Sequence, residues 1–154
     1  ISSRINSLVV EGVLEGYLHN TYTARRLSLR STASASRGGY SEPPHVGISN
    51  LYISPSDKTV PLSFNEIIRA EAEMLYVLDV MGMHTANPVT GDFSVGVSGL
   101  WIERGEVLFP VKEAMIAGNV IELFRKVIAL GDDLRFYGST GSPHILFREV
   151  DISG

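Results

Sequence analysis

The sequence predicts an α+β fold with a mainly antiparallel, barrel-like sheet and two or three helices. Three observations support this prediction. Short apolar, β-branched runs recur with glycine between them, which is typical of strands joined by tight turns. One later segment alternates large apolar and small residues at a period of two, as a strand does. The helical patterns interrupt the strands irregularly, whereas a parallel sheet needs a crossover after each strand.

The first third of the chain predicts short elements around a long loop. Residues 30–47 are rich in Ser, Gly and Pro, and we expect them to be largely irregular. A loop of this length in a compact domain is usually functional or mobile. The elements around it are a hairpin or meander at residues 8–18, a helix at 21–29 and a strand at 50–54.

The middle of the chain begins with a helix start signal. Ser63 and Glu66 have the spacing of a capping box, in which the two residues satisfy each other's free main-chain N–H groups. Ile67, Ile68 and Ala72 supply the apolar face of the helix that should follow. Residues 75–80 then predict a strand.

Residues 93–101 predict a strand with two very different faces. Its bulky residues, which we expect in the core, are Phe93, Val95, Val97 and Trp101. The opposite face carries Ser94, Gly96 and Ser98, so another main chain could approach it closely. These three residues are therefore our candidates for a substrate cleft, although a tight contact in the core explains their small size equally well.

The last third predicts a hairpin, a helix and two strands. Residues 100–102 and 107–109 flank Glu103-Arg104-Gly105 and faintly repeat the first hairpin. Asn119 and Glu122 have cap-like spacing, and apolar residues follow at helical intervals up to Leu130, which predicts a core helix. The remaining strands are predicted at 144–147 and 150–152.

Composition limits the possible functions. The 154 residues suffice for one domain, residues 1–154, and 44% hydrophobic with 19% charged residues is typical of a globular protein. The net charge of −4 argues against a nucleic-acid-binding module. A local basic cluster is more simply explained as a solvated loop; its members are Arg25, Arg26, Arg30 and Arg37.

Cysteine is absent, so the sequence contains neither disulfides nor a cysteine-based zinc site, and we expect a reducing, cytoplasmic location. No apolar run approaches the roughly 20 residues that cross a bilayer, and no signal peptide is recognisable. The chain starts at Ile1 instead of Met, which indicates a part of a longer protein.

Residue spacing predicts no catalytic and no metal-binding residue in this chain. No histidine lies three to five residues from another; the four are His19, His45, His84 and His144. The glycines around Ser98 do not have the spacing of a nucleophile elbow. Asp132 and Asp133 could do acid–base chemistry as a pair, but a solvated helix exit explains them better.

Two segments resemble the signature of the C-terminal domain of the TldD/TldE (PmbA) family: residues 87–94, which read NPVTGDFS, and residues 99–106, which read GLWIERGE. Further segments match in the order of the family: GVLEGYL at 12–18, YTARRL at 22–27, FPV at 109–111, IAGN at 116–119 and LGDDL at 130–134.

The resemblance implies a PmbA/TldD-type C-terminal domain. TldD-like subunits of this family carry an HExxxH helix whose histidines bind zinc, and a cysteine near the C-terminus completes the metal site. TldE-like subunits lack the complete set and pair with TldD in a heterodimer that degrades or trims unfolded peptides, with roles in peptide maturation and antitoxin turnover. The older name, modulator of DNA gyrase, does not imply contact with DNA.

This chain lacks the cysteine although the corresponding residues 138–143 are present, and residues 89–101 are more similar to TldE. We therefore expect a non-catalytic, TldE-like subunit without a cofactor of its own. Its expected partners are a TldD-like subunit carrying zinc, or a second copy, and an unfolded peptide; we expect no nucleic acid and no membrane. The alternatives are a self-sufficient zinc metallopeptidase whose HExxxH precedes Ile1, and a binding or scaffold domain without a protease role.

Overall fold

The structure, a computed structural model, describes residues 2–56 and 58–154. Its helices over these residues are short: α1 (Thr21–Arg26), α2 (Phe64–Ile67), α3 (Val120–Arg125) and a 3-10 turn at Met83–Thr85. The strands in chain order are β1 (Val9–Val10), β2 (Val13–Leu14), β3 (Ala35–Ser36), β4 (His45–Val46), β5 (Leu51–Tyr52), β6 (Glu73–Met81), β7 (Asp92–Glu103), β8 (Glu106–Asn119), β9 (Val127–Leu130), β10 (Arg135–Tyr137), β11 (Thr140–Ser142), β12 (Ile145–Phe147) and β13 (Ile152–Ser153).

The strands pair mostly in antiparallel fashion, which confirms the α+β class and the predicted number of helices. One sheet has the order β13-β8-β7-β6 and another β10-β11-β5, in which β11 and β5 run parallel. The pairs β1-β2, β3-β4 and β12-β9 complete the set. Each sheet in the described part of the chain keeps two edge strands, so no closed barrel is found and the barrel-like part of the prediction is not confirmed.

The described residues divide into two compact units. The first runs to Lys58 and includes Arg135–Ser142, and it holds β1–β5, α1, β10 and β11. The second consists of Thr59–Leu134 and Pro143–Gly154 and holds the long sheet, α2, α3, β9 and β12. Neither described unit contains a helix with the length and apolar character that crossing a bilayer requires.

Polar side chains organise the first unit. Asn20 is only 5% exposed, and its Oδ1 accepts from the Thr23 N–H at 2.8 Å, which caps the start of α1. The helix ends earlier than predicted because Ser28 adopts a left-handed conformation with φ of 55°. Residues 30–47 contain only the two-residue strands β3 and β4 and are otherwise irregular, as their composition predicts.

The second unit is built on the long antiparallel sheet. Its β7–β8 hairpin turns at Arg104 and Gly105, whose φ angles of 50° and 85° are those of a two-residue hairpin turn with the right twist for the strands. The β1–β2 hairpin turns in the same way at Glu11 and Gly12, with φ of 50° and 81°. Both predicted hairpins are therefore present and share one turn geometry.

Helix α2 starts at the predicted capping box. The Glu66 carboxylate accepts from the Ser63 N–H at 2.8 Å and from its hydroxyl at 2.7 Å. Both hydrogen bonds lower the pKa of Glu66, and the one from the Ser63 hydroxyl makes the larger contribution. The helix has only four residues, and the following β6 confirms the strand predicted at 75–80.

The prediction of a core helix that ends at Leu130 is wrong. Asn119 caps α3 as expected, with its Oδ1 accepting from the Ile121 N–H at 3.0 Å, but the helix stops at Arg125. The apolar residues that follow form β9, because β12 supplies an antiparallel partner that pairs Leu130 with Ile145. Helix α3 is also not a core helix, since Val120, Ile121 and Phe124 are exposed and Leu123 is only half-buried.

Candidate functional site

The alternation of β7 places the predicted core residues correctly. Val95 and Val97 are 5% and 1% exposed and form a core cluster with Ala114, against which Phe93 packs. Trp101 is the exception, since it lies outside this cluster; like Phe93, it is half-buried. Its ring stacks on Phe109, with centroids 6.3 Å apart and planes 8° apart, at the hairpin end of the same face.

The opposite face of β7 carries the three candidate cleft residues. Ser94 is exposed, and Gly96 and Ser98 are half-buried. The register shifts opposite β7 place the extra residues on β6 and β8, so β7 itself alternates regularly. Met81 of β6 pairs with Gly96 and brings its Cε to 3.7 Å from the place where a Cβ of Gly96 would lie.

The closest approach of another main chain occurs at Gly99. This residue follows Ser98 and lies on the opposite face of β7, which carries Val97. A Cβ on this residue would lie 2.0 Å from the carbonyl oxygen of Tyr76, far inside van der Waals contact. Gly99 pairs with Val77 beside the irregularity in β6, so the distorted strand occupies the space of a side chain. The absence of a side chain at Gly99 therefore reflects a main-chain contact within the sheet.

The candidate cleft face continues into a cluster of side chains that can exchange protons. Tyr76 pairs with Leu100, which lies on the same face of β7 as Ser98 two residues earlier. The Tyr76 hydroxyl is 3.0 Å from Nε2 of His144, and His144 Nδ1 is 2.6 Å from Oδ2 of Asp133. Asp133 and His144 each expose 22% of their side chains.

Local structure fixes this cluster. The His144 N–H donates to Oδ1 of Asp133 at 3.1 Å, and the Gly131 N–H donates to the His144 carbonyl at 2.7 Å. Phe64 of α2 covers both rings, with centroids 5.2 Å from Tyr76 and 5.0 Å from His144. The histidine is therefore held between the start of β12 and β6.

The contact between Asp133 and the imidazole is close but lies off the direction of a ring hydrogen bond. Nδ1 is buried and has no aligned hydrogen-bond partner among the residues that the structure describes, despite the 2.6 Å distance to Oδ2. It is therefore a close approach of a carboxylate oxygen to a ring nitrogen. Together, carboxylate, imidazole and phenol can donate hydrogen bonds to a polar ligand or accept them from it.

Sequence reasoning missed this cluster. Tyr76 and His144 are 68 residues apart and Asp133 and His144 are 11 apart, so no spacing rule connects them. The sequence predicts that Asp133 lies at a solvated helix exit. In the structure α3 ends at Arg125, and only 22% of the Asp133 side chain is exposed. The sequence shows only an Asp and a His on either side of residues 138–143, which are rich in Gly and Ser.

The residues present do not offer the donor set of a zinc site. His19 precedes α1, His45 lies in β4 and His84 lies in the 3-10 turn, while His144 faces Tyr76. Over residues 2–56 and 58–154, no three His, Asp or Glu side chains come together as a group that could hold a metal ion.

Comparisons with known proteins agree with the sequence resemblance. The family described as PmbA/TldA metallopeptidase C-terminal domain matches residues 1–154. Metalloprotease PmbA of Escherichia coli O157:H7 is 31% identical over 147 residues, which cover 96% of this chain and 29% of that protein. A TldD homologue of Haemophilus influenzae is 26% identical over 133 residues, covering 86% and 27%.

A solved structure agrees in fold. TldE from Thermococcus kodakarensis superposes with a TM-score of 0.84 at 28% identity, covering 100% of this chain and 35% of that one. The chain thus spans about a third of the length of the relatives it matches.

Proposed function

The chain belongs to the PmbA/TldD family of metallopeptidase-type proteins, and from this membership we propose that it acts as a non-catalytic, TldE-like subunit of a peptide-processing complex. In this proposal a TldD-like subunit in the cytoplasm supplies the zinc and cleaves the peptide bond. The present chain contributes part of the substrate cleft and of the contact between subunits.

One observation carries the proposal: the C-terminal domain of the family matches residues 1–154, and the segment where TldD-like subunits have their cysteine is present without it. Residues 138–143, where the resemblance locates the cysteine of TldD-like subunits, contain none. They form the tip and second strand of the β10–β11 hairpin, which pairs with β5. The likeness to a solved TldE supports the same assignment.

The Ser94/Gly96/Ser98 face is our candidate for the cleft. Small side chains leave room for a peptide main chain, and the hydroxyl groups can donate to or accept from it. The Tyr76 and His144 side chains lie towards the hairpin end of this face and add further donors and acceptors. In this arrangement they orient a peptide and do not attack it.

Reconstitution tests the proposal. The purified chain should leave an unfolded peptide intact, and cleavage should appear when a TldD-like protein from the same organism is added and should stop with a chelator. The two proteins should co-purify. Chelator-sensitive cleavage by the 154-residue chain alone, with stoichiometric zinc, would contradict the proposal. Failure of the two proteins to associate would favour a scaffold domain without a protease role.

Substitution of the cleft face refines the test. Ser94→Lys places a bulky charge on an exposed position, so it should leave the fold intact but lower kcat/KM of the reconstituted complex about three- to tenfold. Ala35→Lys, also exposed on a strand, is the control with the same charge change and should alter it little. Equal effects of the two variants would remove the face from the cleft.

A further inference from the structure

An open depression of about 400 Å³ lies in the first unit, between the end of β2 and the segment that follows α1. Its apolar walls are Leu14, Tyr17 and Leu29, all of which expose more than half of their surface to solvent. Arg30 and Glu15 contribute opposite charges to the lining. Because the depression is open, a ligand there would cover these exposed apolar side chains and contact a few polar groups.

The segment that contributes Arg30 to this depression is rich in arginine. Residues 16–41 contain four arginines and neither Asp nor Glu, in a chain whose net charge is −4. Arg30 is exposed, and no hydrogen bond or ion pair engages its guanidinium among the residues that the structure describes. Arg26, by contrast, donates to the Tyr22 hydroxyl at 3.3 Å and lies over its ring. Arg30 is therefore the guanidinium that this depression offers to an anion.

The main chain beside the depression is also available. Glu15 donates its N–H to the Leu8 carbonyl at 2.8 Å, and the His19 carbonyl accepts from Thr32 at 3.1 Å. Between these points Gly16, Tyr17 and Leu18 lie outside helices and strands, and their main-chain groups have no hydrogen-bond partner in the described part of the chain. Free N–H and C=O groups in a row match those of a peptide main chain.

We propose that this depression binds a peptide segment with one acidic side chain among apolar residues. The carboxylate pairs with Arg30, apolar neighbours contact Tyr17 and Leu29, and the peptide main chain pairs with residues 16–18. Glu15 repels a second acidic residue at the other end. The inference deepens the proposed peptide-processing role and takes its biological meaning from it, but binding itself is a property of this chain alone.

Fluorescence anisotropy of the 154-residue chain with labelled hexapeptides tests the inference. The peptides are acetylated and amidated, so that the only carboxylate is that of one Glu among Leu and Ala; a second peptide carries Gln instead. The Glu peptide should bind measurably more tightly than the Gln peptide. Arg30→Glu should weaken its binding about three- to tenfold, and Arg30→Gln should do so to a smaller extent.

Lys112→Glu is the matched control, because it changes the net charge equally at an exposed position of β8 in the other unit. It should leave the affinity unchanged, and circular dichroism should show that all variants are folded. Equal affinities of the Glu and Gln peptides, no peptide binding, or an equal loss in Lys112→Glu would overturn the inference. So would a DNA oligonucleotide that binds with the same dependence on Arg30, since the site would then recognise phosphate. No partner or cleavage is involved, so failure here and failure of the reconstitution are separate results.

Discussion

The two compact units are ordered by different kinds of contact. In the second unit, apolar side chains from long strands are buried, among them Val95, Val97 and Ile102. Among the described residues of the first unit, Ala24 is the only buried apolar side chain and Asn20 the only buried polar one. The strands of this unit have only two or three residues. There, polar side chains bond to the main chain where a sheet ladder would otherwise do so.

His19 and Thr32 show the second kind of contact. The Thr32 hydroxyl accepts from the His19 N–H at 2.7 Å and donates to the His19 carbonyl at 2.9 Å. One side chain therefore satisfies both main-chain groups of another residue. Such bonds depend on single residues, whereas the packing of the long sheet is shared among many side chains. The two units should therefore respond differently to substitution.

The strongest way to break the long sheet is to add one methyl group at Gly99. Because the new Cβ would lie 2.0 Å from the Tyr76 carbonyl oxygen, a main-chain atom that cannot rotate away, Gly99→Ala should lower the free energy of unfolding by more than about 3 kcal/mol. Gly96→Ala is the control on the same strand, where the nearest atom is 3.7 Å away in a flexible Met81 side chain. Urea unfolding measures both; similar values would show that the close approach is absent in solution.

Loss of packing should have the next largest effect. Val97→Ala removes two methyl groups from a side chain that is 1% exposed, so it should destabilise the protein by about 2–3 kcal/mol. Val89→Ala removes the same groups from a side chain that is 91% exposed and should be nearly neutral. The comparison is made by the midpoint of thermal unfolding, and equal shifts would contradict the assignment of Val97 to the core.

The first unit should depend on its polar contacts. Thr32→Val keeps the shape of the side chain but removes the hydroxyl that serves His19, and it should cost about 1–2 kcal/mol of stability. Hydrogen exchange should show faster exchange at the His19 N–H and in the neighbouring loop. Thr140→Val, exposed on a strand, is the control. An unchanged exchange rate at His19 in Thr32→Val would mean that the loop is held by other contacts.

The smallest effect concerns pH. The Asn119 side chain donates to Asp92 at 3.0 Å and, with a smaller contribution from Thr90, lowers the pKa of the Asp92 carboxyl. A depressed pKa contributes stability that is fully present above the unfolded value of about 4 and is lost as pH falls through the folded value. Asn119→Ala should return the pKa of Asp92 towards its ordinary value, as NMR titration can measure. An unmoved pKa would assign the shift to another group.

Local signals predicted much of the second unit. The period-two pattern located β7 and its core residues Val95 and Val97, and the residues before α2 and α3 gave the correct starts. The end of α3 could not be predicted, because the apolar residues at 127–130 suit a helix or a strand equally well. Only the pairing with β12 decides between the two.

Contacts that depend on the folded chain were beyond local signals. The approach of Tyr76 to His144 and the strand irregularity opposite Gly99 arise from tertiary pairing, so the sequence could indicate small residues but not the reason for them. The Ser94/Gly96/Ser98 face is located by the structure, and its contact with substrate stays a prediction.

The tight turn at Arg104 and Gly105 also affects how the chain reaches its fold. From the pair Glu103–Glu106 to the pair Asp92–Asn119, each new rung of β7–β8 closes a loop only slightly longer than the last, so the loss of chain entropy is spread over small steps. The rung between Ile152 and Ile116 instead closes 36 residues at once (152 − 116), and the one between Thr140 and Leu51 closes 89 (140 − 51). We therefore expect the long hairpin to form early, β13 to join it later and the β11–β5 pair of the separate sheet to form late as well, so substitutions near the turn should slow folding more than they speed unfolding.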